Sequence, residues 1–285
     1  MTRLTIPKTY KLYIGGAFPR SESGRTYEVV SPKGVFLANA AQASRKDARD
    51  AVVAARAAQP GWAGATAYNR GQVLYRIAEL LDGRRTQFIE EISSAEGVTA
   101  AAASAQVDAA IDAWIWYSGW CDKYVQVAGS GNPVAGPYFN LSVPEPTGVV
   151  AIVAPQGSAS LLGLVQVVAP ALVAGNTVVV IADQERPLSA ITLGEVLATS
   201  DVPGGVVNIL TGSPAEIVPW LASHADVNAL DLTGAGALEW IDLEIAAADT
   251  LKRVLRPEPG LPGLSLDRIT SFVETKTVWH TKALI

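Results

Sequence analysis

The chain has few of the residues that carry nucleophilic or metal chemistry: one cysteine, Cys121, and two histidines, His224 and His280. One cysteine excludes an internal disulfide framework and is typical of a reducing cytosol, so we expect a cytoplasmic protein. The two isolated histidines match no metal-ligand spacing. The sequence also contains no G-x-S-x-G segment and no P-loop. Bulky aromatic residues flank Cys121 on a predicted amphipathic helix, which indicates a buried structural cysteine.

Basic residues are not in excess, since the net charge is −5, which excludes an electrostatic footprint for nucleic acid or anionic lipid. The first residues show no secretory signal. No charged residue occurs from Thr147 to Ala182, although about 20 apolar residues would span a membrane. Pro155, Pro170 and Gly175 interrupt this run, and β-branched residues fill its ends. It therefore predicts strand, helix and strand, with both strands buried in a parallel sheet.

What is present is the composition of a folded protein, with 49% hydrophobic and 17% charged residues. Strands near Val149, Val178, Val206 and Val227 alternate with helical segments, which predicts βαβ units. The preceding part predicts strands at Lys11–Phe18, Thr26–Ser31 and Val35–Ala43, a helix opened by a capping box at Ser44 and ended by Pro60-Gly61, a second helix after Asn69, a third through Phe88 and Ile92, and a fourth from near Ser104.

The last part of the chain differs in composition. Arg256–Pro262 contains three prolines and one glycine, which predicts a linker. Beyond it lies one β-rich segment at 269–280, which has no hairpin partner nearby and must pair with another strand. Tyr138–Pro146, bracketed by prolines at its end, predicts a short edge strand.

One glycine-rich segment, Thr233–Glu239, follows a predicted strand. It resembles G-x-G-x-x-G, but Glu239 stands in place of the third glycine, so the match is partial. Two interpretations remain open: a helix starting there that presents backbone N–H groups to a phosphate, or a plain turn.

Several segments in one order resemble the aldehyde dehydrogenase superfamily, from about Lys11 to Lys252 and again from Leu264 to Trp279. The resemblance implies an α/β fold, with a Rossmann-like parallel sheet flanked by helices and a small β oligomerisation element. It implies a cofactor-type domain at 1–137 and 147–256, and an oligomerisation strand and tail at 138–146 and 264–285. The linker 257–263 then stands where the catalytic domain would be. The segments that carry the resemblance are KLYIGGAFPRSESGRTYEVVSP, AVVAARAAQPGW, EPTGVVAIVAP, APALVAGNTVVV, PGGVVNILTG, HADVNALDLTG and SFVETKTVW.

The departures from the family pattern fall on its functional positions. Gln156 stands near the place of the asparagine that helps form the family's oxyanion hole. Ile181 and Gln184 replace the lysine and glutamate at the cofactor ribose, and Ala235 replaces the serine that meets the pyrophosphate. After Val254 the chain does not continue into the segment with the general-base glutamate, and the domain with the catalytic cysteine is not found. The resemblance therefore implies no catalytic residues in this chain.

For the cofactor, the resemblance leaves vestigial contacts at Pro155, Gly212, Thr233 and Gly234. Losing two or three hydrogen bonds to charged groups weakens binding by roughly 3–6 kcal/mol, or about two to four powers of ten. We therefore expect no cofactor or metal, with NAD(P) binding weak if it occurs.

Three hypotheses for function follow. The first is a catalytically inactive subunit that forms a hetero-oligomer with a full-length aldehyde dehydrogenase through its C-terminal strand, similar to the non-catalytic second module of fused two-module aldehyde dehydrogenases. The second is an NAD(P)-binding oxidoreductase or nucleotide sensor, and the third a remnant without a selected role. No nucleic acid or membrane partner is expected. The first hypothesis predicts interface residues at Tyr138, Asn140, Ser142, Phe272, Glu274, Lys276, Val278 and Trp279.

Overall fold

The fold is a parallel β-sheet with helices on both faces and two smaller sheets beside it, and the computed structural model describes it for residues 6–282. Its strands are β1 (Thr9–Tyr10), β2 (Thr26–Val30), β3 (Phe36–Ala41), β4 (Ser130–Asn132), β5 (Tyr138–Pro146), β6 (Val149–Val153), β7 (Thr177–Ile181), β8 (Val207–Leu210), β9 (Ala229–Asp231), β10 (Arg253–Leu255) and β11 (Val273–Thr281). Its helices are α1 (Arg45–Gly64), α2 (Ala67–Gly83), α3 (Arg85–Glu96), α4 (Ala100–Ser118), α5 (Tyr124–Ala128), α6 (Ser160–Val173), α7 (Leu188–Leu197), α8 (Pro214–Ser223), α9 (Trp240–Ala248) and α10 (Leu266–Thr270).

The central sheet is parallel and has the strand order β10-β9-β6-β7-β8. Every residue of β6 and β7 is buried. Val150 faces the core formed with α2–α4, α6 and α7, whereas its neighbour Val149 faces the core formed with α1 and α8. Burial on both faces explains the unbroken β-branched runs. The predicted strand, helix and strand are confirmed as β6, α6 and β7, and no helix within residues 6–282 is both long and apolar enough for a membrane span.

The first predicted strand, Lys11–Phe18, is wrong. β1, which pairs in parallel with β3, ends at Tyr10 before this segment, and only isolated bridges occur within it. Gly15 and Gly16 take φ of +62° and +81°, so the chain turns back and Ile14 bridges to Ala17. Glycine adopts these left-handed angles without the steric cost that other residues meet.

Three helix boundaries also differ from the predictions. Pro60 lies inside α1, because Trp62, only 2% exposed, anchors the following turn and donates from Nε1 to the carbonyl of Leu172 at 3.2 Å. α2 and α4 begin earlier than predicted, since Thr66 and Thr99 cap them through their side-chain oxygens. Threonine at this position satisfies a backbone N–H that the first turn leaves free.

A separate antiparallel sheet has the order β11-β5-β4. The prediction of Tyr138–Pro146 as an edge strand is therefore wrong, because β5 is the middle strand. Its prolines are tolerated because Pro144 and Pro146 lie beyond the residues that pair with β4. The segment at 269–280 does pair within the chain, since β11 runs along all nine residues of β5. Local sequence patterns do not reveal this pairing, whose strands lie more than 100 residues apart.

The tail is anchored before β11 begins. Arg268 on α10 is buried and forms an ion pair with Asp231 at the end of β9. Ile269 and Phe272 enter the core beside α6. Asn176, fully buried, donates to the carbonyl of Phe272 at 2.9 Å. The segment after the linker is thus part of the main fold.

We predict that deleting residues 264–285 destabilises the chain strongly, because Asp231 then stays buried without its cation. Removing one member of a buried ion pair costs about 3–5 kcal/mol. Deleting residues 274–285 keeps Arg268 and Phe272 and is the matched control. Urea unfolding followed by tryptophan fluorescence gives both free energies of unfolding, and equal values for the two deletions would contradict the anchoring role.

Candidate functional site

The polar loops of the central sheet gather at the carboxyl ends of its strands. β6 lies between β7 and β9, so the connections leave it in opposite directions and open a crevice there. The loops after β6, β7, β8 and β9 line a cleft of about 450 Å³. A second cavity of about 310 Å³ lies beside it, between the loop after β6 and the linker.

Three of the four predicted cofactor residues meet at this crevice. Pro155, Thr233 and Gly234 line the smaller cavity. A Cβ atom on Gly234 would lie 1.9 Å from the carbonyl oxygen of Ala154, so only glycine fits. The N–H of Gly234 donates to the carbonyl of Val153 at 2.9 Å, and it is therefore not free for a phosphate.

Gly212, the fourth predicted cofactor residue, lies after β8 with φ of +117°. A Cβ atom there would lie 3.2 Å from the backbone nitrogen of Ala43. Its glycine identity thus follows from a left-handed backbone and close packing against the segment before α1.

The ends of β6 and β7 are tied together by the chain's own side chains. Gln156 donates to the carbonyl of Ala154 at 2.7 Å and accepts from the N–H of Gln184 at 2.9 Å. Asp183, only 3% exposed, accepts from the N–H groups of Gly157, Glu185 and Arg186. Burial raises the pKa of the Asp183 carboxyl, although these N–H groups and the Arg186 cation oppose the shift.

The N-terminus of α6 already holds an anionic group. The Glu96 carboxylate accepts from the N–H groups of Ala159 and Ser160 at 3.0 and 2.9 Å, and from the Ser160 hydroxyl at 2.8 Å. Such N–H groups are the ones that bind phosphates in dinucleotide-binding folds. Ala159 has φ of +61°, a left-handed conformation that strains a residue with a Cβ atom. The neighbouring contacts from Glu96 hold that strained turn in place.

Two of the four positions that depart from the family pattern are packed into the core, whereas Gln156 and Gln184 are exposed. Ile181 and Ala235 are both 0% exposed and belong to the cluster on the α1 and α8 side. A lysine at 181 would therefore start from an apolar environment, which disfavours its charged form. The segment Thr233–Glu239 forms turns and α9 starts only at Trp240, so the plain-turn interpretation holds.

The linker closes one side of the smaller cavity. Glu258, Gly260 and Leu261 line it opposite Pro155. Leu261 packs against α6, because a Cβ on Gly163 would lie 3.1 Å from its methyl group. The residues that follow β10 thus cover part of the crevice.

The cysteine and histidines lie outside this crevice. Cys121 is 1% exposed, as predicted, although it sits in the turn after α4 and not on a helix. His224 packs edge-on against Trp220 with ring centroids 4.5 Å apart, and His280 is exposed on β11. No cluster of three or more potential metal ligands occurs among the residues that the structure describes.

The predicted interface residues fall on both faces of the small sheet. Tyr138 and Trp279 share one face, with ring centroids 5.8 Å apart. On that face Asn132 donates to Asn140 and to Ser142, at 2.5 and 2.8 Å. The strand register places the remaining strand residues on the opposite face, whereas Phe272 is buried before β11 starts. Those on the opposite face are Glu274, Lys276 and Val278.

A doubly covered parallel sheet with a crevice at its switch point defines the class of Rossmann-like α/β proteins. The profile of the aldehyde dehydrogenase family matches residues 18–256, and the chain belongs to this family. The cytosolic 10-formyltetrahydrofolate dehydrogenase of Mus musculus is 33% identical over 264 residues, covering 88% of this chain and 28% of that protein. Aldehyde dehydrogenase, cytosolic 1, of Elephantulus edwardii is 33% identical over 260 residues, covering 89% of this chain and 51% of that protein.

Solved structures agree with this assignment. A 3,6-anhydro-L-galactose dehydrogenase in complex with NAP superposes with a TM-score of 0.79 at 27% identity, covering 87% of this chain and 51% of that chain. The NAD+ complex of an aldehyde dehydrogenase from Bacillus cereus gives 0.79 at 26% identity, covering 87% and 50%. This chain thus spans about half, or less, of the proteins it matches.

We predict that the Cys121 thiol does not react in the native chain. Burial raises its pKa to about 12, so only on the order of 10⁻⁴ of it is thiolate at pH 8. A thiol-exchange assay with Ellman's reagent should give slow release in buffer and one equivalent in urea. Thr281→Cys adds an exposed thiol as a control that reacts at once, and fast native reaction of the parent chain would show that Cys121 is accessible.

Proposed function

We propose that this chain is a non-catalytic subunit that assembles with a full-length aldehyde dehydrogenase by strand addition to β11. The observation that supports it most is the state of β11. One side of this strand pairs with β5, and its other side pairs with no strand among residues 6–282. An edge with unpaired N–H and C=O groups is a template for a strand from another chain.

The hydrogen-bond pattern identifies the free groups on this edge. The N–H of Lys282 donates to the carbonyl of Pro137 at 2.7 Å, and the N–H of Thr147 donates to that of Phe272 at 3.1 Å. In an antiparallel pair, the backbone groups of successive residues point alternately toward the partner strand and away from it. Because Phe272 and Lys282 bond toward β5, the even-numbered residues between them do so as well. The odd-numbered residues then direct their backbone groups outward, and all of them are exposed after Val273: Thr275, Thr277, Trp279 and Thr281.

Side chains beside this edge add the affinity that backbone bonds alone would lack. Each outward residue offers one N–H and one C=O, and a net hydrogen bond contributes about 0.5–1.5 kcal/mol, so the cost of association offsets much of what these bonds contribute. Trp279 is 57% exposed on one face, and Phe139 is 55% exposed on the other. Burying such aromatic rings contributes the larger part of most interface energies.

The proposal that the subunit is non-catalytic is supported by the residues found at the crevice. Cys121 is buried far along the chain from the crevice loops, and Gln156 bonds to the strand ends. Only residues 257–263 connect the segment at β10 to the tail. That span contains no cysteine for aldehyde oxidation, and its one acidic residue is Glu258.

Thr277→Pro is expected to abolish assembly while the chain stays folded. Proline removes an outward N–H and places its ring on the edge, yet breaks no bond to β5. The measurement is the native mass of the tagged chain from its own host, with mass spectrometry of co-eluting chains. Thr277→Val keeps the N–H and is the matched control.

A complex with a full-length aldehyde dehydrogenase for the parent chain and for Thr277→Val, but not for Thr277→Pro, supports the proposal. A monomer or a self-oligomer of the parent chain would remove it. Equal complex formation by both variants would rule out the β11 edge as the binding element.

A second candidate, residual nucleotide binding, is favoured by the cleft of about 450 Å³ at the switch point. The donor set fits NAD(P) poorly, because Gly234 N–H and the N-terminus of α6 already have partners in the chain. We therefore expect calorimetric titration of the parent chain with NAD+ to show no saturation at micromolar concentrations. Ile181→Lys with Ala235→Ser is not expected to restore the affinity, because both side chains are packed in the core. Micromolar binding by the parent chain would favour this candidate.

A further inference from the structure

A buried cluster of three polar side chains joins the tail to the central sheet. Arg268 is 6% exposed, and its guanidinium pairs with Asp231, which is 0% exposed. Thr233 Oγ1 accepts from both Nη1 and Nη2 of Arg268 at 3.3 Å and donates to Asp231. The backbone N–H of Thr233 also donates to Asp231, at 3.0 Å. The network thus connects α10 to the carboxyl end of β9.

This cluster contributes mainly to the orientation of the tail relative to the central sheet. The side chains of Ile269 and Phe272 hold the tail in the core by apolar contacts, which do not fix an angle. The Phe272 carbonyl also accepts from Asn176 and Thr147, but it lies beyond the end of α10. A guanidinium bonded to two acceptors does fix one. A buried ion pair adds little stability compared with apolar side chains of the same volume, whereas it can specify one arrangement among several.

Arg268 lies at the base of β11, so the orientation that it sets affects the position of the whole strand. β11 starts at Val273, five residues after Arg268, and runs nine residues. At about 3.4 Å per residue it extends roughly 30 Å. Beyond Val273 every residue except the half-buried Val278 is exposed. Because β11 is paired with β5 along its whole length, a rotation at α10 acts on this small sheet as a unit and its displacement is largest at Thr281.

We infer that Arg268, held by Asp231 and Thr233, is a positioning residue that sets the direction of β11 and so presents its free edge to a partner strand. The role of the edge rests on the proposed function. The direction of β11 does not, and it can be measured on the full chain alone.

The test replaces the ion pair by apolar side chains of similar volume, Arg268→Met with Asp231→Leu. Spin labels on Val53→Cys, exposed on α1, and on Thr281→Cys, at the end of β11, report the distance between the body and the strand. Cys121 is buried and takes no label. We expect native-like unfolding in urea but a distance distribution about twofold broader than in the labelled parent, since the strand multiplies a tilt at its base.

The matched control removes an exposed pair that also touches β11. Arg253 Nε and Glu274 Oε1 lie 2.6 Å apart, and both side chains are largely exposed. Arg253→Gln with Glu274→Gln should leave the distribution unchanged, because exposed pairs hold a geometry weakly. If the apolar double variant does not fold, Arg268→Lys is measured instead, since one ammonium cannot replace the planar fork; a broader distribution is expected there too.

An unchanged distribution in the folded variants overturns the inference. A broader distribution together with loss of the complex supports both the inference and the proposed function. A broader distribution in a chain whose parent form makes no complex keeps Arg268 as the positioning residue and removes the proposed function.

Discussion

Full burial of β6 between β7 and β9 is the constraint on which the rest of the structure depends. A strand covered on both faces and both edges has its polar connections only at its two ends, and the loops that form the crevice lie at the carboxyl end. Buried polar groups there need partners, because an unpaired one costs about 1–3 kcal/mol. In this chain Gln156, Asp183 and Glu96 provide them from within the chain. The crevice is thus satisfied by its own side chains, at the positions where related folds use a ligand.

The same strand end also anchors the tail. Asp231 ends β9 beside β6, and its buried carboxylate requires a cation. Arg268 supplies it from beyond the linker, so the short span 257–263 suffices to bring the tail back to the sheet. From that point β11 pairs with β5, the strand that directly precedes β6 in the sequence. Sheet, crevice and edge are therefore parts of one connected arrangement.

Sequence patterns predicted the elements whose signal is local. β6 and β7 follow from uninterrupted β-branched residues, and the cap of α1 follows from Ser44 and Asp47. The pairing of β5 with β11 does not, since register between distant strands is set by tertiary packing. A signal for Arg268 did exist: Asp231 is an acidic residue within an apolar strand, which demands a buried partner. The crevice was predicted by resemblance, but its internal hydrogen bonds depend on side-chain geometry that no motif encodes.

The placement of the predicted interface residues on two faces favours recognition of the edge over recognition of a face. A strand added to β11 would align its alternate side chains with Trp279 on one face and with Val278 on the other. Exposed edges are usually protected by charged side chains. Here Lys276 pairs with Glu145 at 3.0 Å and Glu274 pairs with Arg253, so these charges are neutralised within the chain. An edge whose charges are paired and whose apolar side chains are exposed is poorly protected against pairing, which is the property that a docking strand needs.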